Sequence, residues 1–167
     1  MPWTKRIKMN NLKKLSEIKR LSEKEDYKTA IAICDEILSQ DPTDHATLRE
    51  KSSALIGIGQ VEMAVDILSS LSTSTDEPSD YFDLARANMR LGKHFDAIEA
   101  LDHVIEIGGK EDFDYYLSSA LFLRAFSLIE VNEKSRALDD ITLLPDDMRF
   151  WVPGAGLVDT KQLRSRL

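Results

Sequence analysis

Apolar residues recur along most of the chain at spacings of three, four and seven positions. Ala64, Leu68 and Leu71 form one such set, and this spacing places side chains on one face of an α-helix. Prolines at positions 42, 78 and 145 mark helix boundaries, and Ser79 is suited to cap the helix after Pro78. The pattern predicts eight main helices, over residues 9–23, 27–40, 44–57, 61–71, 79–91, 95–107, 112–130 and 134–143.

The C-terminal region lacks this periodicity. Residues 145–159 contain prolines, aspartates and glycines, which predicts a loop, and nothing in the chain reads as a hairpin. Thr160 could cap a last short helix over 161–166. We expect Trp151, Val152 and Leu157 to fold back and cover the end of the helical array, as a terminal cap would.

The chain also repeats itself. Segments 25–30, 59–64 and 92–97 line up, 132–137 is a weaker copy, and each ends in alanine, at positions spaced by 34, 33 and 40 residues. Gly59 and Gly92 are predicted to end one helix and open a tight turn, because glycine enters the left-handed backbone region without strain. A small alanine early in the next helix lets two antiparallel helices approach closely. One helix pair cannot bury both of its apolar faces, so neighbouring pairs are predicted to stack.

This pattern resembles the tetratricopeptide repeat (TPR), a 34-residue helix-turn-helix unit. Asp26-Tyr27 and Ala30 match its turn and its alanine, and Pro42 falls at its closing proline. The resemblance covers residues 11–144 and implies an all-α, TPR-like α-α superhelix of antiparallel helix pairs. It implies one domain over 1–167, with irregular repeats at about 11–44, 45–77, 78–111 and 112–144 and a C-terminal capping loop and short helix over 145–167.

Several residues depart from the TPR pattern. Glu25 and Asn132 stand in place of the turn glycine, and Asn88 stands where the family usually has a large apolar residue. Lys51 and Arg124 occupy positions that are usually apolar. These departures predict irregular repeats.

The net charge of the 167 residues is -7, unevenly distributed. Residues 1–20 carry seven basic residues against one glutamate, or +6, which leaves -13 on residues 21–167. An acidic body repels phosphate and attracts a basic protein, so we expect a protein partner and no nucleic acid. No apolar stretch approaches the roughly 20 residues of a membrane helix. The chain is therefore predicted to have no membrane partner. The single cysteine argues against a disulfide framework and favours a reducing, cytoplasmic location.

Motifs that carry catalysis are missing. His45, His94 and His103 lack the spacing of metal ligands, and no complete phosphate-binding loop occurs. Cys34 shares an apolar helix face with Ile31 and is predicted to be a core residue. The sequence therefore predicts no enzyme activity, catalytic residue, metal ligand or cofactor. A hydrolase that uses carboxylates such as Asp139 and Asp140 is a distant alternative.

Two faces could bind a partner. In a TPR-like superhelix the first helix of each pair lines the concave face, and arginine with aromatic and methionine neighbours is typical of interfaces. Alternatively, Phe122 and Phe126 fill the core, and Arg86 and Arg90 lie on a solvated helix face. The predicted concave residues are Arg49, Phe82, Arg86, Met89, Arg90, Phe122 and Phe126.

The second candidate face is acidic. Asp66, Glu99 and Asp139 each follow a repeat alanine by two residues, so stacked pairs would align them, and Asp102 extends a stripe along one helix. This face could meet a basic partner, or it could be an ordinary solvated surface.

A second, looser resemblance is to repeat proteins that accompany bacterial secreted or contact-dependent toxins. It covers the region from Leu123-Arg124-Ala125 through Arg136-Ala137-Leu138-Asp139-Asp140, Leu144-Pro145-Asp146-Asp147 and Trp151 to Thr160-Lys161. That resemblance implies an immunity protein that binds and neutralises a cognate toxin, with a basic nuclease as one candidate. The alternative is a general scaffold, adaptor or co-chaperone that binds an extended peptide. The lysine and asparagine set of the chaperone-binding TPR proteins is not present at the matching positions.

Overall fold

The computed structural model describes residues 3–108 and 116–167, with side chains described from residue 11 onward in the first helix. The chain divides into two compact units, Met1–Leu71 (unit 1) and Ser72–Leu167 (unit 2), with the division inside helix α4. One domain over the whole chain stays a prediction. The elements are α1 (Trp3–Glu23), α2 (Tyr27–Leu38), α3 (His45–Gly57), α4 (Val61–Thr75), α5 (Pro78–Arg90), α6 (His94–Gly108), α7 (Leu117–Glu130), α8 (Lys134–Thr142), β1 (Arg149–Val152), β2 (Gly156–Asp159) and α9 (Thr160–Ser165).

Unit 1 is built on helices α1, α2 and α3, which pack on one another. Asp26 and Asp44 cap α2 and α3, each accepting a hydrogen bond from a backbone N–H of the first turn. These bonds satisfy backbone N–H groups that the helix itself leaves without a partner. The core contains Ile18, Leu21, Ala30, Cys34, Ile37 and Ala54, all buried.

Unit 2 has the larger core. Helices α5, α6, α7 and α8 pack each against the next, and α9 packs on α7 and α8. Helix α7 is buried along most of its length, with Phe122, Leu123 and Leu128 fully inaccessible to solvent. It therefore forms the centre of the unit.

The four helix-turn-helix connections share one backbone geometry. Each is three residues long, and its middle residue has a positive φ: 60° at Glu25, 81° at Gly59, 69° at Gly92 and 63° at Asn132. The predicted turns are therefore present even where glycine is missing. In each turn the N–H of the third residue donates to the carbonyl five residues earlier, as in a Schellman motif: Asp26 to Leu21 at 2.9 Å, Gln60 to Leu55 at 2.9 Å, Lys93 to Asn88 at 3.0 Å and Glu133 to Leu128 at 2.8 Å.

The repeat alanines lie five residues after each turn centre. All four, at 30, 64, 97 and 137, are completely buried. A larger side chain at such a position would meet the neighbouring helix, which is the physical reason for alanine there.

The eight predicted helices are present, with differences at their ends. Helix α1 begins earlier than expected, α4 continues to Thr75, and residues 112–115 of the predicted seventh helix lie outside the described residues. The predicted cap at Ser79 is wrong. Helix α5 begins at Pro78, with Glu77 at the N-cap, because a proline without an N–H suits the first helical position.

The prediction of a loop over 145–159 is also wrong. Strands β1 and β2 pair antiparallel as a hairpin, with Phe150 opposite Val158 and Trp151 opposite Leu157. The three-residue loop between them contains Gly154, at a φ of 82°, a conformation common in hairpin loops of this length. The sequence does not predict these strands because each has only four residues, too few for a clear alternation of apolar and polar positions.

The predicted terminal cap is correct for one of its three residues. Val152 is fully buried, whereas Trp151 and Leu157 are 64% and 59% exposed. Alternation along a strand explains the difference, since neighbouring residues face opposite sides of the sheet. Helix α9 is capped by Asp159, through a capping box with Gln162, and not by Thr160.

Candidate functional site

A pocket of about 350 Å³ opens in unit 2. The end of α5, the start of α6, one face of α7 and the loop of the hairpin meet there. Its residues are Met89, Arg90, Gly92, His94, Phe126, Glu130, Pro153, Gly154 and Ala155.

The repeat explains where this pocket lies. His94 follows its turn centre by two residues, and Glu130 precedes the next turn centre by two. The same two positions in unit 1 hold Tyr27 and Gly57, and a Cβ added to Gly57 would lie 2.7 Å from the Tyr27 ring. The tyrosine therefore occupies that space in unit 1, whereas unit 2 has a smaller ring, a glutamate and a pocket.

The far wall of the pocket comes from the hairpin loop, outside the repeats. A Cβ added to Gly154 would lie 3.9 Å from the Met89 carbonyl oxygen, so the loop lies against the end of α5. Pro153 is buried, while Gly154 and Ala155 are exposed. Pro153 thus forms a buried part of the pocket wall, and Gly154 and Ala155 form a part that faces solvent.

Charges in the pocket are only partly compensated. Glu130 Oε1 lies 2.6 Å from the Arg166 guanidinium, which also lies over the Phe126 ring at 5.0 Å from its centroid. Within residues 3–108 and 116–167, Arg90 has no hydrogen-bonding or ion-pair partner. As far as the described part of the chain shows, the pocket therefore presents one uncompensated positive charge, on Arg90.

His94 is a neutral member of the lining. Its Nδ1 lies 3.4 Å from Ser127 Oγ, and its ring lies 6.2 Å from that of Phe126. Partial burial lowers the pKa of His94 below 6.5, Glu130 acts in the opposite direction, and Arg166 lowers it further. The ring is therefore uncharged at neutral pH.

Three predicted concave residues line this pocket: Met89, Arg90 and Phe126. Phe82 and Phe122 are 7% and 0% exposed, so the prediction of these two rings on a binding surface is corrected: they fill the core around α7. Met89 and Phe126 are also largely buried and contribute the apolar floor. The core alternative for Phe122 and Phe126 therefore agrees with their burial.

The other predicted binding residues are distributed differently. Arg86 is exposed, pairs with Asp83 at 3.5 Å and does not line the pocket; Arg49 belongs to α3 of unit 1. Asp66, Glu99 and Asp139 are exposed. A partner-binding role for these residues stays a prediction.

Asp102, the fourth acidic candidate, is held inside the protein's own ion-pair network. It lies 2.6 Å from Arg124 and 3.5 Å from Arg136. Arg124 also donates to both oxygens of Asp140, at 2.9 Å and 2.6 Å, and these carboxylates raise the pKa of the Arg124 guanidinium. The charge of Asp102 is therefore largely compensated.

Six of the nine lining residues, and Arg166 beside them, are absent from the predicted binding residues; His94, Glu130 and Arg166 are the ones with ionisable side chains. The sequence pattern of His94 bears only on metal binding, and it predicts no role for Glu130 or Arg166. The sequence does hold a signal for two of them, because His94 and Glu130 replace Tyr27 and Gly57 at equal repeat positions. No sequence pattern around Arg166 predicts its contact with Glu130, which lies 36 residues earlier in the chain.

Catalytic and metal chemistry find no support in the described residues. Among them, no three His, Cys, Asp or Glu side chains are grouped so as to hold a metal ion. Cys34 is completely buried, and burial raises the pKa of its thiol to about 12. The absence of enzyme activity stays a prediction. No described helix combines the length and apolar character needed to cross a membrane.

Comparison with known proteins places the fold. No protein-family model and no curated protein matches the sequence. A MamA structure from Desulfovibrio magneticus RS-1 is similar at 18% identity and a TM-score of 0.67, over 78% of this chain and 71% of that one. The TPR-like repeats of a Podosopora anserina kinesin light chain are similar at 17% identity and 0.68, over 78% and 71%. YrrB, a TPR protein, is similar at 16% identity and 0.67, over 85% and 72%. These likenesses confirm the predicted TPR-like fold of antiparallel helix pairs.

Proposed function

We propose that this chain is a protein-interaction module that binds a polypeptide segment in the pocket of unit 2. The observation that carries the proposal is the pocket itself, with an apolar floor of Met89 and Phe126 beside Arg90, which has no ion-pair partner among the described residues. Aromatic, methionine and arginine side chains are enriched at the centres of protein interfaces. The fold supports the same class of function, since YrrB is described as having an unusual peptide-binding site.

The size of the pocket fits a side chain of a polypeptide. A volume of about 350 Å³ lies at the lower end of the range of roughly 300–1,000 Å³ for small-molecule sites. It can hold one or two residues of a longer segment, while the rest of that segment lies on the neighbouring surface. Binding would therefore be anchored at one point.

Filling the pocket tests this proposal. The experiment screens a displayed peptide library against the full chain and measures the recovered peptides by fluorescence anisotropy. His94→Tyr restores the ring found at the equal position of unit 1, and we expect it to weaken binding by at least about tenfold. Phe95→Tyr is the matched control, because Phe95 is 67% exposed and does not line the pocket. Recovery of no peptide, or equal binding to both variants, would overturn the proposal.

A toxin-neutralising role is the narrower form of this proposal. Charge supports it: unit 2 carries 11 Lys and Arg against 18 Asp and Glu, a net of -7, whereas unit 1 carries 11 of each. Such a field speeds encounter with a basic protein. The test is purification of this chain together with the product of the adjacent gene, with a tight one-to-one complex that suppresses toxicity as the expected result. A neighbouring product that neither binds nor is toxic would refute the role.

A further inference from the structure

We propose that the pocket selects a side-chain carboxylate, from an aspartate or glutamate that lies next to an apolar residue in the bound segment. This inference rests on the proposed function and specifies the chemistry of the occupant. It follows from which charges in the pocket are already used and which are available.

Arg90 is the available charge. It is the last residue of α5, its side chain is exposed at the pocket, and no partner occupies its guanidinium within the described residues. A guanidinium binds a carboxylate through two parallel hydrogen bonds, which no neutral side chain can match. An acidic residue of the segment would therefore lie at the rim, over Arg90.

Glu130 would repel such a residue if its own charge were not compensated. Arg166 lies 2.6 Å from it and is also placed over the Phe126 ring. His94 is neutral because burial lowers its pKa, so it adds no charge of either sign, and the balance is set by Arg90 and Arg166 against Glu130. The local balance at the rim therefore favours an anion.

The floor accounts for the apolar neighbour. Met89 and Phe126 are 2% and 5% exposed and line the pocket beneath its rim. An aliphatic or aromatic side chain placed there removes its own apolar surface from water, which favours binding. Arg90 at the rim and the apolar floor would together select an acidic residue with an apolar neighbour.

The carboxylate is assigned to a side chain and not to a chain terminus. Capture of a terminal carboxylate uses a nest of free backbone N–H groups. The N–H groups of Gly92, Lys93 and Ala155 already donate to the carbonyls of Met89, Asn88 and Val152, at 3.0–3.1 Å. The turn and the hairpin loop therefore offer no such nest at these residues.

The probes are three pools of eight-residue peptides with random flanking residues. Two pools are amidated at the C-terminus and carry a central Asp-Leu-Asp or Asn-Leu-Asn; the third ends in Asn-Leu with a free carboxylate. We expect the Asp pool to bind the full chain about tenfold more tightly than the Asn pool. That preference should vanish in Arg90→Gln and persist in Arg86→Gln, a control on the same helix that is paired with Asp83 and lies outside the pocket.

Each other outcome contradicts a specific claim. Equal binding of the Asp and Asn pools, with both still blocked by His94→Tyr, would overturn the carboxylate inference and leave the proposed function standing. Preference for the free C-terminal pool would overturn the side-chain assignment. Loss of binding by Arg86→Gln alone would move the site away from the pocket. No binding of any pool would overturn the inference and the proposed function together.

Discussion

Units 1 and 2 repeat the same turn, yet they differ in what fills the space between successive turns. In unit 1, Tyr27 lies against Gly57 and leaves no room for a side chain there. In unit 2, His94 and Glu130 hold the equal positions and line a pocket. The candidate binding site of unit 2 thus differs from the packed surface of unit 1 in two ways. His94 and Glu130 replace Tyr27 and Gly57 at equal repeat positions, and a hairpin loop forms an additional wall.

The same comparison extends to a pair of ion pairs. Lys51 and Arg124 hold the same repeat position, eight residues before a turn centre. Each forms an ion pair with an aspartate that lies ten residues after the preceding turn centre. Lys51 pairs with Asp35 and Arg124 with Asp102, both at 2.6 Å. Arg124 additionally holds Asp140, whose side chain is 4% exposed. Positions that are usually apolar in TPR proteins thus carry ion pairs here, and only the pair in unit 2 includes a buried charge.

The largest expected effect comes from breaking these two ion pairs. Arg124→Met leaves the buried Asp140 carboxylate without its partner and should lower the free energy of unfolding by about 3–5 kcal/mol. Lys51→Met removes a pair whose aspartate is 56% exposed and should cost less than about 1 kcal/mol. Urea denaturation measures both. Equal losses would show that burial of Asp140 does not distinguish the units.

The next effect concerns the buried position three residues before each turn's first residue. Three of the four turns have a leucine at this position: Leu21, Leu55 and Leu128. The turn at Gly92 has Asn88 instead. Asn88 is 3% exposed, and its Oδ1 has no hydrogen-bond partner in the described residues. Asn88→Leu should therefore raise the free energy of unfolding by about 1–3 kcal/mol.

Leu55→Asn is the reverse change in unit 1 and should destabilise by a comparable or larger amount, since it buries an amide at a leucine site. Chemical denaturation of both variants provides the measurement. A loss of stability in Asn88→Leu would mean that the amide makes a stabilising contact.

A smaller effect is expected at the turn centres. Glu25 has a φ of 60°, which strains a side chain, so Glu25→Gly should stabilise unit 1 by about 0.5–1 kcal/mol. Gly59→Ala should lose about 1 kcal/mol because alanine is strained at a φ of 81°. Thermal unfolding compares the two. If both changes have the same sign, the turns are not conformationally equivalent.

The smallest effect is a pH dependence that arises at the pocket. The folded-state pKa of His94 is lowered, so the unfolded chain binds a proton first as the pH falls. Stability from this group is complete above the unfolded value of about 6.5 and is lost as the pH falls from there toward the folded pKa. His94→Gln should flatten that part of the profile in urea titrations, whereas His45→Gln on α3 should leave it in place.

Particular residues show what was predictable. The turns at Gly59 and Gly92 and the alanines at 64 and 97 were identified from spacing alone, and the structure has them in the expected conformations. The sequence predicts that Trp151 and Val152 both cover the end of the helical array, yet Trp151 is exposed and Val152 is buried. Strands of four residues contain too few positions for alternation to be recognised.

The repeat frame was determined by the sequence, because the left-handed turn residue is a demand of the local backbone and the small alanine serves the packing of two helices that are adjacent in sequence. The pocket was decided by the tertiary structure. Its wall brings the Gly154 loop against Met89, and its charge balance needs Arg166 to reach Glu130, 36 residues away along the chain. Contacts between residues so far apart depend on how the C-terminal hairpin and helix pack on α5 and α7, and no local pattern encodes that packing.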